Sequence, residues 1–235
     1  MRATLSGAKC ATALTRRLVL AGAVVPLVAR CSSDPNSDTA GLTRVLGQSL
    51  NVFSGASSVS LKDVAATPFA SIGVRVGSGP QTMLVLATKT AHSTVWTSAS
   101  QIAVELQSGR IIRTAGLTAN LSGTTFSGAD PLDAGLQKLH AALPAQRALD
   151  FSDRNQYGVV VDSKVTPAGL AVVDILGTRI ACVHALETCS CPMLGWNYTN
   201  EYWASAQTGT VWRSLQFIHP DFDALEIELL RPPRA

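Results

Sequence analysis

Between Ala70 and Leu230 the chain repeatedly sets apolar residues at every second position, the period of a strand with one face buried. Ala70-Ser71-Ile72-Gly73-Val74-Arg75-Val76 alternates small or polar with apolar residues, Gly77-Ser78-Gly79-Pro80 is a turn sequence, and Thr82 to Ala87 reads as the returning strand. Further strands are predicted at Thr94–Thr97, Ile102–Leu106, Arg110–Ala115, Gly158–Asp162, Ala171–Leu176 and Arg179–Val183, with turns at Ser108-Gly109 and Gly177-Thr178. Late in the chain Asn200-Glu201-Tyr202-Trp203, a Thr208-Gly209 turn and Val211-Trp212-Arg213-Ser214-Leu215-Gln216 predict another hairpin. Apolar and acidic residues alternate from Leu225 to Leu229, which reads as an edge strand with Glu226 and Glu228 on its solvated face. Neighbouring strands separated by a few residues must pair antiparallel, because a parallel partner needs a crossover of about a dozen residues or more.

Helical spacing is confined to two places. Leu42, Val45, Leu46, Leu50, Val52 and Phe53 predict a short amphipathic helix ending at Gly55, and Leu132, Leu136, Leu139 and Leu143 predict one over Pro131–Leu143. The expected class is therefore mainly β, a meandering antiparallel sheet with a few helices.

The first thirty residues follow a different logic. Arg2, Lys9, Arg16 and Arg17 precede an apolar run from Leu18 to Ala29, the plan of an export signal over residues 1–30. Twelve apolar residues span about 18 Å as a helix, short of a bilayer core. Thr15-Arg16-Arg17-Leu18-Val19-Leu20 fits a twin-arginine signal, or the charged start of a general secretory one. Cys31 directly follows, opening a polar tether over 31–41, and is the expected site of acylation; plain cleavage near Ala29 is the alternative, Arg30 standing where a small residue is usual. Loss of residues 1–30 removes five cations and no acid, so the formal charge falls from +3 to −2. Such a surface lacks the basic stripe that nucleic acid requires, and attachment to a membrane would depend on the lipid anchor. Residues 42–235 are long enough for one β-rich domain.

Arg110-Ile111-Ile112-Arg113-Thr114-Ala115-Gly116-Leu117, the hairpin from Tyr202-Trp203 to Gln216, the closing Leu225 to Pro233 strand, and Ala70 to Ala87 followed by Trp96 resemble the YjbF/GfcB family of group 4 capsule polysaccharide lipoproteins. The likeness runs over roughly residues 42 to 233. It implies a large meander sheet curled into a half-barrel with capping helices, an outer-membrane lipoprotein on the periplasmic face, and a non-catalytic accessory role in capsule or exopolysaccharide assembly or export. The implied partners are export components of that membrane or the polymer itself.

Candidate chemistry is sparse. Arg113, Trp203, Trp212, Arg213 and Gln216 are the candidates for contact with a glycan or partner, the arginines through their fork of donors and the tryptophans by stacking on sugar faces. Cys182, Cys189 and Cys191 sit close together in an exported chain, which predicts a disulfide from Cys182 to Cys189 or Cys191. With His184 the same cysteines spell C-x-H-x4-C-x-C, so a metal site or free thiols are the other readings. No cofactor is expected, since no phosphate-cradling loop, H-E-x-x-H or G-x-S-x-G occurs. An enzyme would need the late acids Asp221, Asp223, Glu226 and Glu228 to converge as a glycosidase pair. A third reading is a scaffold that accepts a partner's strand on an unpaired apolar edge.

Overall fold

The computed structural model describes residues 58–234, so the export signal over 1–30, the tether over 31–41 with Cys31, and the helix expected over 42–53 lie outside the described residues. The described chain opens with a one-and-a-half-turn helix, α1 (Leu61–Ala66), started by a reciprocal cap: Ser60 Oγ accepts from Asp63 N while the Asp63 carboxylate accepts from Ser60 N. Twelve strands follow: β1 (Ser71–Val76), β2 (Gln81–Lys89), β3 (Thr94–Thr97), β4 (Ala103–Gln107), β5 (Arg110–Ala115), β6 (Gly123–Phe126), β7 (Leu143–Phe151), β8 (Gln156–Ile175), β9 (Thr178–Cys191), β10 (Trp196–Ser205), β11 (Val211–Gln216) and β12 (Leu225–Arg231).

All twelve form one antiparallel sheet in the order β5-β4-β3-β2-β1-β12-β11-β10-β9-β8-β7-β6. Every neighbour in that order is also a neighbour in sequence except β1 and β12, which pair from Ser71↔Arg231 to Val76↔Leu225. The two outermost strands, β5 and β6, are consecutive along the chain, so the sheet curls round until they face each other, and it is nearly closed into a barrel. It thus curls further than a half-barrel. The remaining seam is bridged where Thr114 N donates to Leu121 O at 2.8 Å.

One side-chain amide stands in for the missing neighbour strand at the start of β5. Gln216 reaches from β11 and accepts from Ile111 N (2.9 Å) while donating to Gly109 O (2.8 Å). An edge strand's free peptide groups are thereby answered from inside the barrel.

Alternation sends Ile72, Val74, Leu84, Trp96, Val104, Leu149, Phe151, Val159, Val161, Leu225 and Ile227 inward as the main core. A second cluster of Leu132, Leu136, Val165, Ala185, Tyr202 and Ala204 closes one end of the barrel. The long β8–β9 hairpin has a bulge between Pro167 and Gly169, and beyond it Val173, Ile175 and Cys182 pack outside the barrel against Trp203 and Leu230.

Three expectations are corrected. The segment Pro131–Leu143 is not a helix: Gly135 takes φ +88°, only Leu136–Lys138 forms a 3-10 turn, and β7 already begins at Leu143. The leucine spacing reflects apolar side chains of an irregular cap turned onto one end of the barrel. The stretches expected at Gly158–Asp162 and Ala171–Leu176 form, up to Ile175, a single twenty-residue strand that absorbs Pro167 at its bulge, Leu176 opening the turn that follows. Last, β12 is not an edge but sits between β1 and β11, and its Glu226 and Glu228 are engaged in the wall.

Candidate functional site

Charged residues interrupt the inward stripes of three strands, and they meet in the middle of the barrel. Arg110 of β5 places Nε 2.5 Å and Nη2 2.9 Å from the two oxygens of Asp130, a bidentate pair, and Nη1 2.7 Å from Glu187 Oε2 on β9. Arg147 of β7 reaches the other oxygen, Glu187 Oε1, at 2.7 Å. Tyr202 OH and Asn200 Nδ2 also donate to Glu187 Oε2, at 3.1 and 2.9 Å. Arg147 further donates to Ser163 Oγ and Tyr198 OH, each at 3.2 Å.

Glu187 is 0% exposed, Arg110 2% and Arg147 4%. Burial alone would push the Glu187 carboxyl up, but Arg110 and Arg147 outweigh it and hold the group well below the ordinary carboxylate range. Burial pushes both buried tyrosines up, and the Cys189 thiol to about 11. Two arginines and two carboxylates make the cluster formally neutral, and every charge in it is hydrogen-bonded. Such an arrangement braces strands across the barrel; a catalytic acid or base would need a pKa near the working pH, and Glu187 and both arginines are driven away from it.

A space open to a ligand lies at one end of the barrel, where the β2–β3, β4–β5 and β10–β11 turns meet the cap over residues 132–138. They enclose a cavity of about 550 Å³. Its walls are Ile72, Trp96, Leu106, Trp212, Ile227 and Leu229, and its rim carries Lys89, His92, Asp133, Gln137 and Lys138. The rim is pinned in place by polar contacts between loops. The Asp133 carboxylate accepts from Ser108 Oγ (2.7 Å) and Gln107 Nε2 (3.1 Å), which fastens the cap to the β4–β5 turn. Gln137 packs onto Gly209 in the β10–β11 turn, where φ is +75° and a Cβ would collide with Gln137 Oε1. Gly209→Ala is accordingly expected to destabilise the protein by about 1–2 kcal/mol through backbone strain and loss of that fit, read as a lower urea midpoint with unchanged m.

The five sequence-selected contact residues do not converge. Gln216 is buried in the barrel as the cap of β5. Trp203 and Arg213 are cross-strand partners on the outer wall: Trp203 stacks on the His184 ring at 4.7 Å, and Arg213 donates to Glu228 (Nε to Oε1, 2.8 Å) and to Asp174 O (3.0 Å). Arg113 lies on the outer face of β5 with its side chain 64% exposed and only a 3.9 Å approach to Glu105. Trp212 alone lines the cavity, displaced by the bulge that shifts the register between β10 and β11.

The cysteine expectation is corrected as well. Cys182, Cys189 and Cys191 are free and all lie on β9. Seven residues of extended chain separate Cys182 from Cys189 by about 23 Å, far beyond the reach of a disulfide. The same geometry divides the C-x-H-x4-C-x-C ligands, because Cys182 and His184 face outward with Trp203 whereas Cys189 and Cys191 belong to the inner core.

Sequence reasoning missed Lys89 at the end of β2 and Asp133, Gln137 and Lys138 in the cap, none of which any local pattern marks. It also missed Asp130, Arg147 and Glu187, although a lone charge on an inward stripe, as in Ala185-Leu186-Glu187-Thr188-Cys189, was there to be read.

Comparison with known proteins agrees with this architecture. The family model described as "Group 4 capsule polysaccharide lipoprotein gfcB, YjbF" matches residues 48–230. The chain is 24% identical to "Uncharacterized lipoprotein GfcB" of Escherichia coli (strain K12) over 174 residues, covering 74% of this chain and 81% of that protein. Its fold is similar to the crystal structure of the hypothetical lipoprotein YmcC from Escherichia coli (K12), with a TM-score of 0.71 at 22% identity, over 83% of this chain and 97% of the other.

Proposed function

Because the chain belongs to the YjbF family of group 4 capsule polysaccharide lipoproteins, we propose that it is a non-catalytic lipoprotein acting as an accessory factor in capsule or exopolysaccharide assembly or export. It is held through acylated Cys31 to the periplasmic face of the outer membrane and engages the polymer at the capped end of its barrel, in the cavity beside the cap. The observation that carries this reading is the cavity of about 550 Å³ with an aromatic and aliphatic wall and a polar rim, the make-up of a pocket for a hydroxyl-rich ligand with an apolar ring face.

The alternatives find less support. A glycosidase places two carboxyl groups about 5–10 Å apart in its cleft. Asp133 is the single carboxylate among the cavity-lining residues, and it is already tied to Ser108 and Gln107. The late acids Glu226 and Glu228 are bound in the outer wall by Arg75, Arg213 and Gln81. Strand addition requires an open apolar edge, but on β5 Gln216 already takes up Ile111 N and Leu121 takes up Thr114 N.

Cys31→Ser is expected to move the protein from the membrane to the soluble periplasmic fraction, with loss of the acyl mass from the mature chain. In a strain lacking the wild-type copy it should give the same fall in surface polymer as deletion. A bare N-terminus near Arg30 in the wild-type protein, or unchanged surface polymer on deletion, would overturn the reading.

A further inference from the structure

Resting on the reading that the barrel mouth engages polymer, we infer that the ligand of this cavity is acidic: a short saccharide segment carrying carboxylates, seated against Trp212 and Gln137 with its charge toward Lys89 and Lys138.

Three observations converge on that class. The first is electrostatic. Two lysines line the cavity and neither is ion-paired among the described residues; Lys89 Nζ has only a 3.4 Å contact to the carbonyl of Arg234. The one carboxylate of the rim, Asp133, is turned to Ser108 and Gln107, leaving the opening with a net positive field over apolar walls. A cleft of one sign backed by low-dielectric walls concentrates the opposite charge. The protein without residues 1–30 carries a formal charge of −2, so this local excess runs against its overall balance.

The second is a buried acceptor with no donor. Gln137 Oε1 is buried at the cavity and has no hydrogen-bond partner among the described residues. Oε1 itself is packed against Gly209 while the side chain lines the cavity, so turning the terminal amide would present this unpaired acceptor to a sugar hydroxyl. The third is aromatic. The bulge in β11 takes Trp212 off the regular alternation, half-buried at the cavity wall, where an indole face can stack on the apolar face of a sugar ring.

The test uses the full-length lipoprotein in detergent micelles, titrated with trigalacturonate and with its fully methyl-esterified form, and read by tryptophan fluorescence and calorimetry. The two probes share ring, length and hydroxyls and differ in charge. Trigalacturonate is expected to bind about tenfold more tightly at low salt, and the advantage should shrink as ionic strength rises. Lys89→Gln/Lys138→Gln should remove most of that advantage and leave the thermal midpoint unchanged, both residues being exposed at the rim. Trp212→Phe should weaken both probes. Equal affinity for acid and ester would overturn the acidic class while leaving a polymer-handling role intact. An acid preference that survives the double lysine change would overturn the assignment to this cavity. If neither probe binds, the inference fails; the accessory role then falls too only if deletion leaves surface polymer unchanged.

Discussion

Glu187→Ala is expected to lower the stability of the full-length protein by about 3–5 kcal/mol, the range for breaking a buried ion pair by removing one partner. Glu187 takes four hydrogen-bond donors, from Arg110, Arg147, Asn200 and Tyr202, on two oxygens that never see solvent. Removing it leaves Arg147 without a carboxylate and Arg110 with Asp130 alone. Glu187→Gln keeps the size and part of the bonding and should fall between the two, as read by urea unfolding at pH 7. The sign of the pH effect follows from the depressed carboxyl. Its contribution is present in full above the ordinary carboxylate range, near 4.3, and is lost as pH falls below it. Wild-type stability should therefore drop in acid more steeply than that of Glu187→Gln. A Glu187→Ala protein as stable as wild type would mean that the cluster does not brace the barrel.

Phe151→Ala is the second large effect, expected at about 3–5 kcal/mol for a fully enclosed aromatic. Phe151 ends β7 with no exposed surface, and its ring meets the edge of His219 at 5.0 Å and 86°. His219 Nδ1 accepts from Asp221 N, which assigns the proton to Nε2, 3.4 Å from Asp153 Oδ2. Burial pulls the imidazole pKa down. A group whose folded pKa is lowered binds its proton more readily when unfolded, so stability is lost as pH falls through about 6.5. Opening a cavity beside His219 admits water and should flatten that loss between pH 8 and pH 5. Unfolding curves at several pH values would check both parts, and an effect under 1 kcal/mol would show that the site collapses without cost.

Much of this fold was legible because period-two alternation is a local property. The β1–β2 hairpin, the Ser108-Gly109 turn, where φ is +49° and +88°, and the β10–β11 hairpin are all written in adjacent residues. Two kinds of feature were not. The cap over residues 131–142 carries helical spacing, yet Gly135 breaks it, and only the tertiary cluster with Tyr202 and Ala204 explains the leucines. Strand β7 was hidden because Pro144, Arg147 and Asp150 dilute its alternation, and Arg147 makes sense only once Glu187 lies opposite. The candidate site suffers the same limit. Lys89 ends β2, Gln137 and Lys138 share the cap's 3-10 turn and Trp212 sits at the bulge of β11, and no pattern within any one of these segments reveals that the barrel's curl brings them together.

The pairing of β1 with β12 also governs how the domain can come into being. Apart from that pair, every ladder joins strands adjacent in the chain and can zip locally, but the Ser71–Val76 strand waits on residues 225–231 for its second neighbour. Long-range pairing of this kind is slow, because the loop entropy must be met before the contact rewards it. During synthesis or export the last strand to appear is the one that locks the first. Until then one side of β1 is an open edge, so a chain truncated before Leu225 is exposed to aggregation in a way the finished barrel is not.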